Sequence, residues 1–141
     1  MWESKLALAS ARGRIAIGVF AVAAPAPATR MFLGRSQASG AEPQLTRMVG
    51  IRDLALGLGT AIAIDKGTPV RGWLEAAAVA DAGDFVAALL GRKQMSQQAF
   101  IGTLALTSGA VVVGLLLARR LDQRPVPDPG QPEAVATAHQ E

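Results

Sequence analysis

Four ionisable residues, Arg52, Asp53, Asp81 and Asp84, lie inside long apolar runs, and Glu75 lies nearer the edge of one of them. On insertion scales a charged side chain at the centre of a hydrocarbon layer costs about 2.5–3.5 kcal/mol, so it must face protein or a wet cavity. Asp81 and Asp84 are three residues apart and share one face of a helix. Such a pair suits three roles: general acid and base, a site for an ion, a proton or a small polar molecule, or a polar lock that fixes helix register. Arg52 and Asp53 are adjacent, about 100° apart on a helix, which disfavours pairing with each other. Arg52 is therefore expected to meet Asp81 or Asp84 on a neighbouring antiparallel helix. Glu75 is four residues from Arg71, and that pair can satisfy itself near an interface.

This inventory sets one central cation against three carboxylates. The balance can come from a carboxyl that keeps its proton, from Arg12, Arg14 or Arg47 reaching inward, or from a bound cation or cationic ligand. The candidate site is thus Arg52, Asp53, Asp81 and Asp84, with Arg47 and Glu75 as additional members. A nucleophile partner, a phosphate loop and a metal-ligand set are all missing beside the carboxylates, which weighs against catalysis. Gly57-x-Gly59 is an isolated glycine pair in an apolar helix, better explained by packing than by phosphate binding. The chain has no cysteine, which excludes disulfides, thiol nucleophiles and thiolate metal sites. Its single histidine, His139, lies within the last three residues and excludes histidine clusters. No metal or cofactor is expected.

The elements that must hold these charges are four apolar stretches in a chain of 141 residues, only 18% of them charged against about 25% in ordinary globular domains. The clearest is Ala99–Ala118, 20 residues without a charge, closed by Arg119 and Arg120. At about 1.5 Å per residue it can cross a hydrocarbon core of roughly 30 Å. The first stretch, Ile15–Thr29, is short, and Pro25 and Pro27 should end its helix near Ala24. Extended back to Leu6 it reaches a workable length, with Arg12 and Arg14 snorkelling or facing inward. A cleaved signal peptide is the competing reading of this segment. Met48–Ile64 and Val70–Leu90 complete the set, separated by the turn Asp65-Lys66-Gly67-Thr68-Pro69. The longer connection from Thr29 to Arg47 has room for a short interfacial helix around Met31 and Phe32.

Short connections imply antiparallel neighbours. The expected fold is all-α, an integral-membrane antiparallel four-helix bundle over residues 1–120, with spans at about 6–25, 47–64, 70–90 and 98–118. Residues 121–141 hold four of the eight prolines and no apolar periodicity, and are expected to form a disordered polar tail. Gly50, Asp53, Gly57 and Thr60 recur at helical spacing as a face of small and acidic residues that lets backbones approach. Ala105 and Gly109 offer the same on the last span.

The basic residues flank the apolar runs, as in membrane helices, and no basic run interleaved with aromatics points to nucleic acid. With the N-terminus inside, eight Lys and Arg lie on the inner side and five on the outer, so both termini are expected in the cytoplasm. The lipid bilayer is the expected partner, with a membrane-protein subunit or a second copy as further candidates.

The set Arg47-x-x-Gly50-x-Arg52-Asp53-Leu54-x-x-Gly57, then Asp81-x-x-Asp84, resembles short bacterial four-helix membrane proteins grouped as families of unknown function. Arg30-Met31-Phe32-Leu33-Gly34, after the proline that ends the first span, fits the same pattern. More distantly the chain is similar to the DoxX-like four-helix membrane proteins. The resemblance covers roughly residues 12–119 and implies a compact four-span bundle. It also implies that Arg52, Asp53, Asp81 and Asp84 form the family's polar signature, but it brings no reaction with it.

Overall fold

A computed structural model describes residues 2–38 and 40–122, so nearly all of the expected tail and His139 lie outside the described residues. The described chain is all-α. It contains α1 (Trp2–Ala23), α2 (Pro25–Leu33), α3 (Glu42–Asp65), α4 (Arg71–Leu90) and α5 (Gln97–Asp122), with one 3-10 turn at Arg92–Gln94. No strand is present among the described residues.

The helix ends follow the local sequence. Ala24 leaves helical geometry at φ −130°, ψ 64°, and Pro25 then starts α2, where its missing N–H costs nothing and its fixed φ suits a first turn. The prolines therefore end one helix and open another. The second of these is the short helix expected around Met31 and Phe32. Gly34, at φ 63°, closes α2 in the left-handed region that favours glycine. Leu33 C=O accepts the Ser96 N–H at 2.9 Å, which ties this corner to the start of α5.

α1 and α3 pack antiparallel and very closely. A Cβ added to Gly18 would fall 2.7 Å from Gly50 O, and one added to Gly57 would fall 2.8 Å from Ala11 O. Only glycine permits this backbone approach. The buried face of α3 is Thr46, Gly50, Asp53, Gly57, Thr60 and Ala63, which includes the small and acidic face expected from spacing. On α1 the buried residues are Ala7, Ala11, Gly18 and Ala21. α2 joins this pair through the buried Thr29 and Thr46 hydroxyls, 2.7 Å apart.

α4 and α5 form a second antiparallel pair. Gly114 faces Ala78 and Leu74 O at 3.5 Å, an ordinary contact distance. At the end where the N-terminus lies, Ala7, Leu74, Leu117 and Ala118 make an apolar cluster, with Ile64, Val70 and Leu121 packed against it. The expected small-residue contact at Ala105 and Gly109 is not used. A Cβ on Gly109 would meet nothing within 4 Å, and Ala105 is exposed. The inward line of α5 runs instead through Thr107, Gly114, Leu117 and Ala118, with Leu117 and Ala118 packed against Leu74 of α4.

Small side chains fill the interior of the described residues and many large apolar ones lie outside it. Among the described residues the buried apolar ones are nine alanines and two leucines, while Met48, Ile51, Leu58, Ile62, Val79, Leu106, Val112 and Leu116 are all exposed. Two helices, α1 and α5, are long and apolar enough to cross a membrane.

Candidate functional site

Near the middle of α1, α3 and α4, five charged side chains come together. Arg14 Nη1 donates to Asp53 Oδ1 at 3.1 Å, and Arg14 Nη2 donates to Asp81 Oδ2. Arg52 grips Asp84 with both ends of its guanidinium, Nη1 to Oδ1 at 2.8 Å and Nη2 to Oδ2 at 2.6 Å. Such two-point contacts fix geometry as well as charge. Arg52 Nη2 also reaches Asp53 Oδ1 at 3.4 Å. The four residues singled out from sequence are therefore assembled, and Arg14 completes the group.

The elements explain this meeting. Gly18 and Gly57 bring the α1 and α3 backbones close on either side of the charges, so Arg14 needs little reach to meet Asp53. Asp81 and Asp84, one helical turn apart on α4, face the other two helices together. Each carboxylate has a different arginine, so they do not form an isolated acid pair. Asp53 is the shared member, between both guanidiniums. Asp53 and Asp81 are buried, at 8% and 6% exposure, whereas the Arg52 and Asp84 side chains are about one-third exposed. The cluster thus has a closed end on α1 and a more open end between α3 and α4. At that open end Arg52 Nε is buried without a hydrogen-bond partner among the described residues.

Three sequence expectations need correction. Arg52 and Asp53 do make contact, because the long arginine side chain bends back across the angle that separates their Cα positions. Arg47 stays out of the cluster. It donates to Gln44 Oε1 at 3.1 Å and to Val22 O at 3.5 Å, near the N-terminal end of α3 and far along the helix from Asp53. Glu75 is also outside, paired with Arg71 at 2.7 Å, as the four-residue spacing implied. Of the three arginines able to supply the balancing charge, Arg14 does so, a site residue that the mid-span charges alone do not single out. The signal that selects it is its register: Ala7, Ala11, Arg14, Gly18 and Ala21 fall on one line of α1. Arg12, two residues earlier, is exposed on another face.

Gly57 and Gly59 both serve packing. Gly57 lies on α1, and a Cβ on Gly59 would penetrate the Trp73 ring, 2.3 Å from its nearest atom. No group of three or more His, Cys, Asp or Glu suited to a metal ion exists among the described residues.

The fold and site together define an all-α chain with two helices of membrane-crossing length and composition and a mid-helix cluster of two arginines and three aspartates. No known protein family, curated protein or solved structure matches it.

Proposed function

We propose that the chain is an integral membrane protein of four spans, α1, α3, α4 and α5, whose central cluster binds a small cationic species, a proton or a monovalent cation. The carrying observation is the make-up of the cluster: Arg14 and Arg52 stand against Asp53, Asp81 and Asp84, leaving one carboxylate in excess where two of the three are buried. An uncompensated charge in such a place is costly, and a bound positive charge removes the cost.

The membrane part of the reading draws on the side-chain distribution. In a soluble protein a long apolar helix is mostly buried, yet only 11% of the most apolar window of α5 and 22% of that of α1 are buried. Large apolar side chains that point outward from an alanine and glycine interior suit lipid, which gives close backbone packing its value. At 24 and 20 residues, α3 and α4 are also long enough to cross a layer of about 30 Å. Their polar residues Asp53, Arg52, Asp81 and Asp84 are the ones matched inside the cluster. Because Arg14 supplies that match, α1 reads as a retained span rather than a leader that is removed. Four spans put both termini on one side. With Arg14 withdrawn from the basic count, seven Lys and Arg against five still favour the cytoplasm for that side.

The alternative, a small intramembrane enzyme with Asp81 and Asp84 as base and acid, loses support because each carboxylate is held by its own arginine.

Asp53→Asn provides the test. It removes the excess carboxylate while leaving Asp81 for Arg14 and Asp84 for Arg52. Thermal unfolding of the purified chain in detergent is followed against Na⁺, K⁺ and pH. The wild type is expected to shift its melting temperature with one of these, and Asp53→Asn to remain folded and give a flat response. A wild type indifferent to all three, with Asp53→Asn merely less stable, would reduce the cluster to a register lock.

A further inference from the structure

The two ends of the molecule carry similar numbers of basic residues but very different balances. At the end formed by the α1–α2–α3 connection and the α4–α5 connection lie Arg30, Arg35, Arg47, Arg92 and Lys93, with Glu42 as the one acid in the sequence of these segments. Glu42 is paired with Arg35. Arg30, Arg47, Arg92 and Lys93 have no carboxylate within ion-pair distance among the described residues. The opposite end holds Lys5, Lys66, Arg71, Arg119 and Arg120, but its segments also carry Glu3, Asp65, Glu75 and Asp122.

Contacts hold the basic groups on a single platform. Ser96 N–H bonds Leu33 O at 2.9 Å, and a Cβ on Gly34 would overlap the Ser96 side chain, so α2 and the α4–α5 connection are pressed together. Arg92 lies over the Phe100 ring at 5.3 Å, which anchors its guanidinium beside the start of α5. Around the platform Met31, Leu45, Met48 and Leu90 are exposed, Leu90 at 83%. Basic groups and exposed apolar side chains at the same end of the helices match the chemistry of a lipid surface, which offers phosphates outside and acyl chains beneath.

We infer that this end is a docking surface for the headgroups of anionic phospholipids, with Arg30, Arg47, Arg92 and Lys93 as the phosphate-facing groups. The inference rests on the membrane reading above but not on the central cation site, and it concerns headgroup chemistry in either leaflet.

The test compares thermal unfolding of the full chain in neutral detergent with added phosphatidylglycerol and with equal phosphatidylcholine. Phosphatidylglycerol is expected to raise the melting temperature by several degrees more, and the difference should fade at high salt as exposed charges are screened. Arg92→Gln with Lys93→Gln, both on the exposed 3-10 turn, should remove much of that difference, and adding Arg30→Gln should remove most of the rest. Lys66→Gln with Arg119→Gln and Arg120→Gln should leave it intact. Equal shifts with the two lipids, equal losses from the two ends, or the same shift with inorganic phosphate alone would each overturn the proposal. If the larger variant fails to fold, counting phosphatidylglycerol molecules retained by the wild type and by the Arg92, Lys93 double variant in native mass spectrometry decides it, equal retention overturning it. Release of the chain from membranes by alkaline carbonate would overturn the membrane reading itself, whereas a carbonate-resistant chain with no lipid preference overturns this proposal alone.

Discussion

The α1/α3 pair and the α4/α5 pair are both antiparallel, yet they are held together by different means. Between α1 and α3 the backbones nearly touch, and glycines at 18, 50 and 57 leave no room for a methyl group. Between α4 and α5 side chains fill the gap, with Leu74 and Leu117 buried and Gly114 at ordinary contact distance from its neighbours. Across the two pairs, the Arg14–Asp81 and Arg52–Asp84 ion pairs and the Trp73 ring on Gly59 make the middle connection. The first pair is thus specified by shape, the second by side-chain volume, and their union by charge at mid-helix together with the apolar cluster of Ala7, Leu74 and Leu117 at one end. In a bilayer, the environment proposed above, apolar association alone supplies little and these three means differ in what a substitution costs.

The largest effect is expected from cutting the union. Arg14→Met leaves Asp53 and Asp81 buried with a partner removed, a class of change that costs about 3–5 kcal/mol, measured as lost stability in a denaturing-detergent titration. The two pairs should survive separately. An introduced disulfide, Ala78→Cys with Gly114→Cys, suits the 3.5 Å distance from a Gly114 Cβ to the Ala78 Cβ and should still form in the Arg14→Met background. Failure of that disulfide in Arg14→Met, though not in the wild-type background, would show the second pair to depend on the first.

A smaller effect follows from altering shape. Gly18→Ala forces a methyl group onto Gly50 O and is expected to cost about 1–3 kcal/mol, typical of overpacking, by the same titration. Thr29→Val removes the buried contact to Thr46 and should cost about 1 kcal/mol, which would assign α2 to the first pair energetically. The smallest change is expected from Gly114→Ala, within about 0.5 kcal/mol. If Gly114→Ala proved as harmful as Gly18→Ala, the contrast between the pairs would collapse.

Much of this contrast was readable in advance, though unevenly. The helix boundaries follow from punctuation that acts locally: Pro25 after Ala24, the Gly67 turn and the Gly91 end. The acidic and small face of α3 was legible because period alone sets which residues share a side. The partner of each charge was less so. Nothing in the chain order says whether Arg12, Arg14 or Arg47 turns inward, since that depends on how α1 rotates against α3. Small residues at 7, 11, 18 and 21 set that rotation, and they single out position 14 only when α1 is read with the glycines of α3 in view. Ala105 and Gly109 misled for the opposite reason. Small residues permit close approach but do not require it, and α5 turns a different face to α4.

The pairing of Arg14 with Asp53 also bears on the order of synthesis. Both residues belong to the first half of the chain, so on the four-span reading proposed above the α1/α3 hairpin can enter a bilayer with this acid already matched and Arg52 still without Asp84. α4 emerges later with Asp81 and Asp84 and no cation in the middle of its own length. By itself it is a poor segment to insert, but it arrives beside a hairpin that offers the complementary charge. On that reading α4 is a client of the hairpin before it during biogenesis, and the last helix, with no charge along most of its length, closes the assembly unaided.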